Sequence, residues 1–436
     1  MDFGLQTLNK LWFHVLKNHI RHSQFVIHNT SIDPAFADLP IPTAPAPPQT
    51  HFSHRLRGWG LRLVGAWLAR RAPVPSETGK ILLIRPDHLG DLLFLTPALR
   101  YLRQSLPNTH ISLLVGKWGL PIVQNNPHVD EILTCDFPGF TRTEKPSPWQ
   151  PYRYLAAQAR ILKTHRFEAA IVLRFDHWWG AWLAAAAGIP QRIGYAIEDV
   201  SPFLTTSLPY ADQRHEVEQN FRLVHFAIHG ENTPPATDSI GETEFTVPPA
   251  ATQWAERWLR ANGIRFDRPL VVVHPGAGAA VKLWRTEAWA QVMDALAAQF
   301  SAQFVLSGSP AERALCESIA GKSSAPAAIA AGETSLAQIA AIMARAALVI
   351  GPDTGPVKLA AAAGTPTLSL YGPVDAEKFG TWGEARRHRI LLAGLACQPC
   401  NRLDFPAAET AAHFCVRGLS AAGVIAAAAE MLGENS

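Results

Sequence analysis

The sequence predicts an α/β protein of two Rossmann-like domains, their parallel sheets facing each other across a cleft, with a helical extension at the N-terminus. Three observations predict it. Short apolar strands alternate with helical segments from Lys80 almost to the end, the signature of parallel sheets covered by helices. The alternation runs in two successive halves, split near residue 249 by a Pro-punctuated crossover. Each half carries a strand, a polar or Gly-rich turn and a helix, the arrangement that presents helix N-termini to ligands at the carboxyl ends of strands.

Bulk properties agree. A chain of 436 residues is too long for one ordinary core and suits two α/β domains with an appendage. Hydrophobic residues at 48% and charged ones at 17% describe a well-buried globular protein rather than a disordered one. A net charge of +3, with no long basic run, gives no reason to expect a nucleic-acid partner. No apolar stretch approaches the ~18 uncharged residues of a spanning helix. The N-terminus lacks the layout of a signal peptide, so a cytoplasmic location is expected. Five cysteines in so long a chain make no disulfide scaffold.

The elements follow in order. Residues 1 to 76 form the extension: a helical stretch from Leu5 to Ile27, a Pro-rich spacer from Pro34 to Pro48, and a helix from Phe52 to Arg71. That second helix joins Trp59 and Trp67 to Arg55, Arg57, Arg62, Arg70 and Arg71. Such a helix can lie on an anionic membrane surface; the same pattern fits a helix packed on the domain with its arginines in water. The N-terminal domain, residues 77 to 248, has strands at Ile81 to Arg85, His110 to Val115, Glu131 to Thr134, Ala169 to Arg174 and Gln191 to Tyr195. Its helices are Asp91 to Gln104, Leu120 to Gln124, Tyr152 to His165, Trp178 to Ala187 and Glu216 to His229. The C-terminal domain, residues 249 to 436, begins with a helix from Thr252 to Asn262. Its strands are Leu270 to His274, Gln303 to Ser307, Ala327 to Ala330, Ala347 to Ile350, Thr367 to Tyr371 and Arg389 to Leu392, and its last helix is Ala421 to Leu432.

Three turns carry candidate chemistry. In Arg85-Pro-Asp-His-Leu-Gly-Asp91, Gly90 lets the backbone approach a ligand. Asp91 falls at a helix start whose positive end favours the ionised form, so it can serve as a general base or simply as a helix cap. In Val273-His-Pro-Gly-Ala-Gly-Ala-Ala-Val-Lys282, Gly276, Gly278 and Lys282 supply backbone donors and an ammonium for a diphosphate. The spacing fits neither a Walker loop nor GxGxxG. In Gly351-Pro-Asp-Thr-Gly-Pro-Val-Lys358, the Thr354 hydroxyl and the Gly355 N–H can donate to phosphate, with Lys358 one turn further on, while the small residues also suit close helix–sheet packing.

Together these motifs resemble the ADP-heptose:lipopolysaccharide heptosyltransferase family, glycosyltransferase family nine, over roughly residues 78 to 432. The resemblance rests on Leu-Gly-Asp-Leu-Leu-Phe-Leu-Thr-Pro-Ala-Leu, and on Gly-Pro-Asp-Thr-Gly-Pro with its downstream Ala-Ala-Gly-Thr-Pro and Tyr-Gly-Pro. It implies a GT-B fold and an inverting, metal-independent transfer of heptose from ADP-heptose to a lipopolysaccharide core or related glycolipid. It further implies that Asp91 is the catalytic base, that Lys282 binds donor phosphate, and that Asp353, Thr354 and Gly355 hold the donor sugar and diphosphate. Glu312 would touch the ribose, and Arg85, Gly90 and Arg192 would line the acceptor side of the cleft. The enzyme would work at the inner face of the cytoplasmic membrane, in peripheral contact with it. Lys358 departs from the family, which usually shows histidine there. The rival readings are a transferase or epimerase using another nucleotide sugar, and a nucleotide-sugar-binding module without turnover. Cys397, Cys400 and Cys415, with His413 nearby, could complete a tetrahedral zinc site, but a second CxxC at the usual spacing is lacking and no metal is assigned.

Overall fold

A computed structural model describes residues 26–37, 39–41, 60–62, 64–65, 79–140, 147, 149–232, 237–406 and 409–434. The chain divides into two compact units: residues 45–235 with 243–248, and residues 1–44 with 236–242 and 249–436.

The N-terminal unit holds a six-stranded sheet in which every pairing is parallel. Its elements are β2 (Lys80–Arg85), α1 (Leu89–Leu93), α2 (Thr96–Ser105), β3 (His110–Val115), α3 (Leu120–Val123), β4 (Glu131–Thr134), α4 (Gln150–His165), β5 (Ala169–Val172), α5 (Trp178–Ala186), β6 (Gln191–Tyr195), β7 (Thr206–Leu208) and α6 (Glu216–His229). The order is β4-β3-β2-β5-β6-β7. The chain therefore leaves β2 towards one edge and later returns to its other side as β5, so the β2/β5 boundary is the topological switch point. Local chemistry sets the helix ends. The His215 ring accepts from the Val217 N–H at 3.1 Å to cap α6, and Gly230 ends it at φ +70°, a conformation costly for residues with a Cβ. The single helix read over Asp91 to Gln104 is two, because Pro97 in the first turn of α2 has no N–H to continue the ladder.

The C-terminal unit contains β1 (Val26–Asn29), α7 (Pro249–Ala261), β8 (Leu270–Val273), α8 (Thr286–Phe300), β9 (Gln303–Leu306), α9 (Arg313–Lys322), β10 (Ala327–Ile329), α10 (Leu336–Met343), β11 (Leu348–Pro352), α11 (Gly355–Ala362), β12 (Thr367–Leu370), α12 (Ala376–Phe379), β13 (His388–Leu392) and α13 (Ala421–Glu434). Its seven strands run β1-β13-β12-β11-β8-β9-β10, all parallel. Here the switch point is β8/β11. The central strands are buried on both faces: all four residues of β8 and all five of β11 are inaccessible.

One expectation for the extension changes. Val26 and Ile27, read as the end of a helix, open β1 and pair with Arg389 and Ile390. The stretch that follows is tied to the same unit. Asp33 accepts from Arg285 at 2.7 Å, Ser31 bonds Ser420 at 2.6 Å, and Ile32 bridges Leu419. The rest of the first expected helix, and most of the Pro-rich spacer and second helix, lie outside the described residues. Of the second helix, residues 60–62 and 64–65 are helical; Leu61 is buried in the N-terminal core, and Gly65 lies so close to Pro202 that a Cβ would meet its carbonyl oxygen at 2.4 Å.

Candidate functional site

In the C-terminal unit the chain leaves β8 and β11 side by side, so the segments after Val273 and Pro352 are neighbours. Their charged groups converge. Lys282 Nζ donates to Asp353 Oδ2 at 2.6 Å and to the Asp353 carbonyl at 3.2 Å, and Lys358 Nζ donates to Asp353 Oδ1 at 3.0 Å. One buried carboxylate therefore holds two ammonium groups. Burial pushes the Asp353 carboxyl up, but the charges of Lys358 and Lys282 outweigh it and hold its pKa at about 2. The cluster carries a net charge of one positive unit at the start of α11, whose first turn adds the N–H groups of Gly355 and Val357. Thr354 occupies the cap position in an extended conformation and donates its hydroxyl to Pro352 O at 3.3 Å.

The glycines have separate reasons. A Cβ on Gly276 would lie 2.0 Å from Glu312 Oε1, so only glycine lets that carboxylate lie over the turn, whereas a Cβ on Gly278 would meet open space. Glu312 also accepts from the Ser309 N–H at 2.7 Å in a capping box. Behind them His274 bonds Ser307 at 3.1 Å, and its burial pushes the imidazole down to about 4, so it is neutral at physiological pH.

At the β2/β5 switch point of the N-terminal unit, Asp91 sits half-buried in the first turn of α1, with Gly90 in the same turn. Arg85 ends β2 and is buried. It donates to Asn220 Oδ1 at 2.9 Å, Leu173 O at 3.2 Å and Glu216 Oε2 at 3.2 Å. Its Nε lies 2.7 Å from Asp87 Oδ2, close enough for an ion pair but misaligned for a hydrogen bond. Burial opposes the Arg85 charge, yet Asp87, Glu216 and Asp91 together raise its pKa, which places Asp91 within electrostatic reach of the guanidinium. Asp87 also pairs with Arg174, which donates to Asp176 Oδ1 at 2.6 Å. His177 is buried beside them; burial pushes it down to about 3.

These placements sort the sequence-derived candidates. Lys282, Asp353, Thr354, Gly355 and Lys358 come together on the turns after β8 and β11; Gly276 and Gly278 share the loop of Lys282, and Glu312 reaches that loop from the turn after β9. Arg85 is enclosed by protein partners. Arg192 likewise gives its donors to the carbonyls of Phe203 at 2.7 Å, Ile189 at 2.5 Å and Pro190 at 3.2 Å. Both are bonded within the N-terminal unit in this structure. Sequence reasoning passed over Asp87 and Arg174, although both follow strands at the switch point and that position was their only signal. Cys397, Cys400, Cys415 and His413 do line one small pocket, but among the described residues no group of three or more His, Cys, Asp or Glu is placed to hold a metal ion.

Two parallel α/β sheets, each with a polar cluster at its switch point, define a protein of the doubly wound α/β type. The profile of glycosyltransferase family 9 (heptosyltransferase) matches residues 155–407, more than half of the chain. Lipopolysaccharide heptosyltransferase 3 of Escherichia coli K12 is 26% identical over 306 residues, 68% of this chain and 83% of that protein. Lipopolysaccharide heptosyltransferase 1 of Pseudomonas aeruginosa is 25% identical over 329 residues, 74% and 86% of the two chains. Among solved structures, the family 9 glycosyl transferase of Veillonella parvula superposes with a TM-score of 0.67 at 21% identity, over 81% of this chain and 97% of that one. The ADP-heptose lps heptosyltransferase II of E. coli does so at 0.65 and 19%, over 82% and 99%. The chain belongs to glycosyltransferase family 9, and it is an enzyme with the two-sheet fold of those structures.

Proposed function

We propose that this glycosyltransferase moves a heptose from ADP-heptose to a lipopolysaccharide core or related glycolipid, with inversion at the anomeric carbon. The observation that carries the reading is the Lys282–Asp353–Lys358 cluster at the head of α11. On arrival of the donor, its diphosphate takes over from the Asp353 carboxylate as partner of both lysines, and the first-turn N–H groups of α11 add donors. As the sugar–phosphate bond breaks, charge grows on the diphosphate, and these groups stabilise it where it develops. With two ammonium groups and a helix N-terminus in place, the reading needs no divalent ion. Asp353 is thus a positioning residue for the lysines, a different part from the direct sugar contact that the resemblance implies.

Asp91 would accept the proton of the acceptor hydroxyl as its oxygen attacks the anomeric carbon. The relatives support the sugar and the acceptor: E. coli heptosyltransferase WaaC has been solved with ADP and with ADP-2-deoxy-2-fluoro heptose, and the sequence relatives named above act in lipopolysaccharide synthesis by name. The test is to incubate the purified protein with a panel of nucleotide sugars and measure nucleoside diphosphate release on adding lipopolysaccharide core. Release confined to ADP-heptose and dependent on the core is the expected result; release from another nucleotide sugar, or none from any, contradicts the reading.

A further inference from the structure

The outer face of α4 is basic and carries an exposed indole. Its inner face is ordinary, with Leu155, Ala159 and Leu162 buried in the core. On a solvent-facing flank, roughly 110° round the helix from them, Trp149, Arg153, Ala156, Arg160 and Lys163 follow at alternating steps of four and three residues, so they form one stripe about 20 Å long at the helical rise. Trp149 is 70% exposed and Ile161, to one side, 52%. From residue 149 to 166 there is no Asp or Glu, and among the described residues Arg153, Arg160 and Lys163 have no carboxylate partner.

Folding does not account for this face. An exposed indole gains nothing from the core, and like charges a turn apart without acidic partners cost a helix a few tenths of a kcal/mol. The aromatic side is instead built as a firm platform: Trp149 lies 6.2 Å from Tyr152, Tyr152 lies 5.6 Å from Trp182, and Trp182 stacks on the buried Phe203 at 5.5 Å. Aromatic rings beside cations match a phospholipid interface, where rings settle at headgroup level and Lys and Arg meet phosphate. The helical residues 60–62 and 64–65 offer less: Leu61 is buried and Arg62 is paired with Glu198.

We propose that the outer face of α4 docks this enzyme on an anionic phospholipid bilayer. The inference deepens the proposed glycolipid acceptor by naming the surface that reaches it, and it rests on that reading only for its purpose, since lipid binding is measurable without turnover.

The test is co-sedimentation of the full-length protein with phosphatidylglycerol-containing vesicles and with pure phosphatidylcholine vesicles, at low and high salt. Wild type should bind the anionic vesicles and release from them as salt rises. Joint reversal of the stripe, R153E, R160E and K163E, should lower that binding at least about tenfold, given the attraction each basic residue near a surface supplies. Trp149→Ala should lower it several-fold in a way that salt does not abolish. A control with the same charge change elsewhere, R257E, R268E and R386E, should bind nearly as wild type. Circular dichroism and donor calorimetry on each variant separate a lost surface from a lost fold or site. Wild-type binding by the stripe variant, or an equal loss in the control, overturns the proposal. So does sedimentation showing a wild-type dimer that the stripe variant splits, which would make the face a contact between copies. Vesicle binding as predicted without any sugar transfer would leave the docking surface standing and refute the reaction.

Discussion

The two switch points use the same architecture for opposite electrostatic ends. At β2/β5 the charges are mostly enclosed and leave one negative unit over: Arg85 and Arg174 face Asp87, Glu216 and Asp176. At β8/β11 a single carboxylate faces two ammonium groups, leaving positive charge over at a helix start. On the proposed reading the first arrangement stiffens the ground beneath Asp91, and the second receives the donor's diphosphate. A topological switch point thus fixes where a ligand site can form, and the charge balance there decides whether it supports chemistry or binds phosphate.

Breaking the enclosed side should cost the most stability. Arg85→Met leaves Asp87 and Glu216 buried with a cation missing, a loss of about 3–5 kcal/mol. Urea unfolding followed by hydrogen exchange should show peptides of the N-terminal unit opening earlier while those of β8 to β13 keep their protection. Equal loss in both units would mean that the cluster is not local to one sheet.

Asp353→Asn should be milder and conditional. It leaves two ammonium groups without their shared partner, about 2–3 kcal/mol by the lower end of the same reasoning, because both keep some access to solvent. Saturating ADP should restore part of that stability, since a diphosphate replaces the missing charge. A thermal shift on ADP no larger than in wild type would argue against the exchange of partners. The acid limb carries a related expectation. Asp353 is depressed to about 2, so its contribution is complete above about pH 4 and disappears only as pH falls through 2. The buried histidines act earlier. His274 at about 4 and His388 at about 3 stay neutral in the fold but take up protons when unfolded, so the C-terminal unit should lose stability from about pH 6.5 downward, by up to about 1.4 kcal/mol per pH unit for each. Stability flat between pH 6.5 and 4 would refute this.

The smallest effect is expected for Lys358→His, which restores the residue usual in the family. Donor affinity at pH 6 should stay within about threefold of wild type and weaken by up to about tenfold by pH 8 as the imidazole loses its proton. Wild type should be flat over that range. Calorimetric titrations with ADP at the two pH values give the comparison.

Much of this was legible in the sequence, and the failures share one cause. Strand–turn–helix units are local, so both switch-point turns and the clustering of Lys282, Asp353 and Lys358 on adjacent loops could be read from spacing and fold class. Partners distant in sequence could not. The enclosure of Arg85 by Asn220 and Glu216, more than 130 positions on, has no local signal. The partners of Arg192 are equally hidden, because backbone carbonyls that take its donors leave no trace in side-chain patterns. β1 is a four-residue strand whose only reason to exist is β13, over 360 residues later, and Val-Ile-His-Asn by itself carries no strand signal.

The central claim is that proton transfer and donor binding are divided between the two units, and calorimetry of ADP binding set beside turnover for Asp91→Asn and Lys282→Ala tests it most directly. Asp91→Asn should keep wild-type ADP affinity while turnover falls at least about 10²-fold, as for a lost general base. Lys282→Ala should lose about 1.5–3 kcal/mol of ADP affinity, with rate falling alongside. Near-normal turnover in Asp91→Asn, or unchanged ADP binding in Lys282→Ala, would contradict the division.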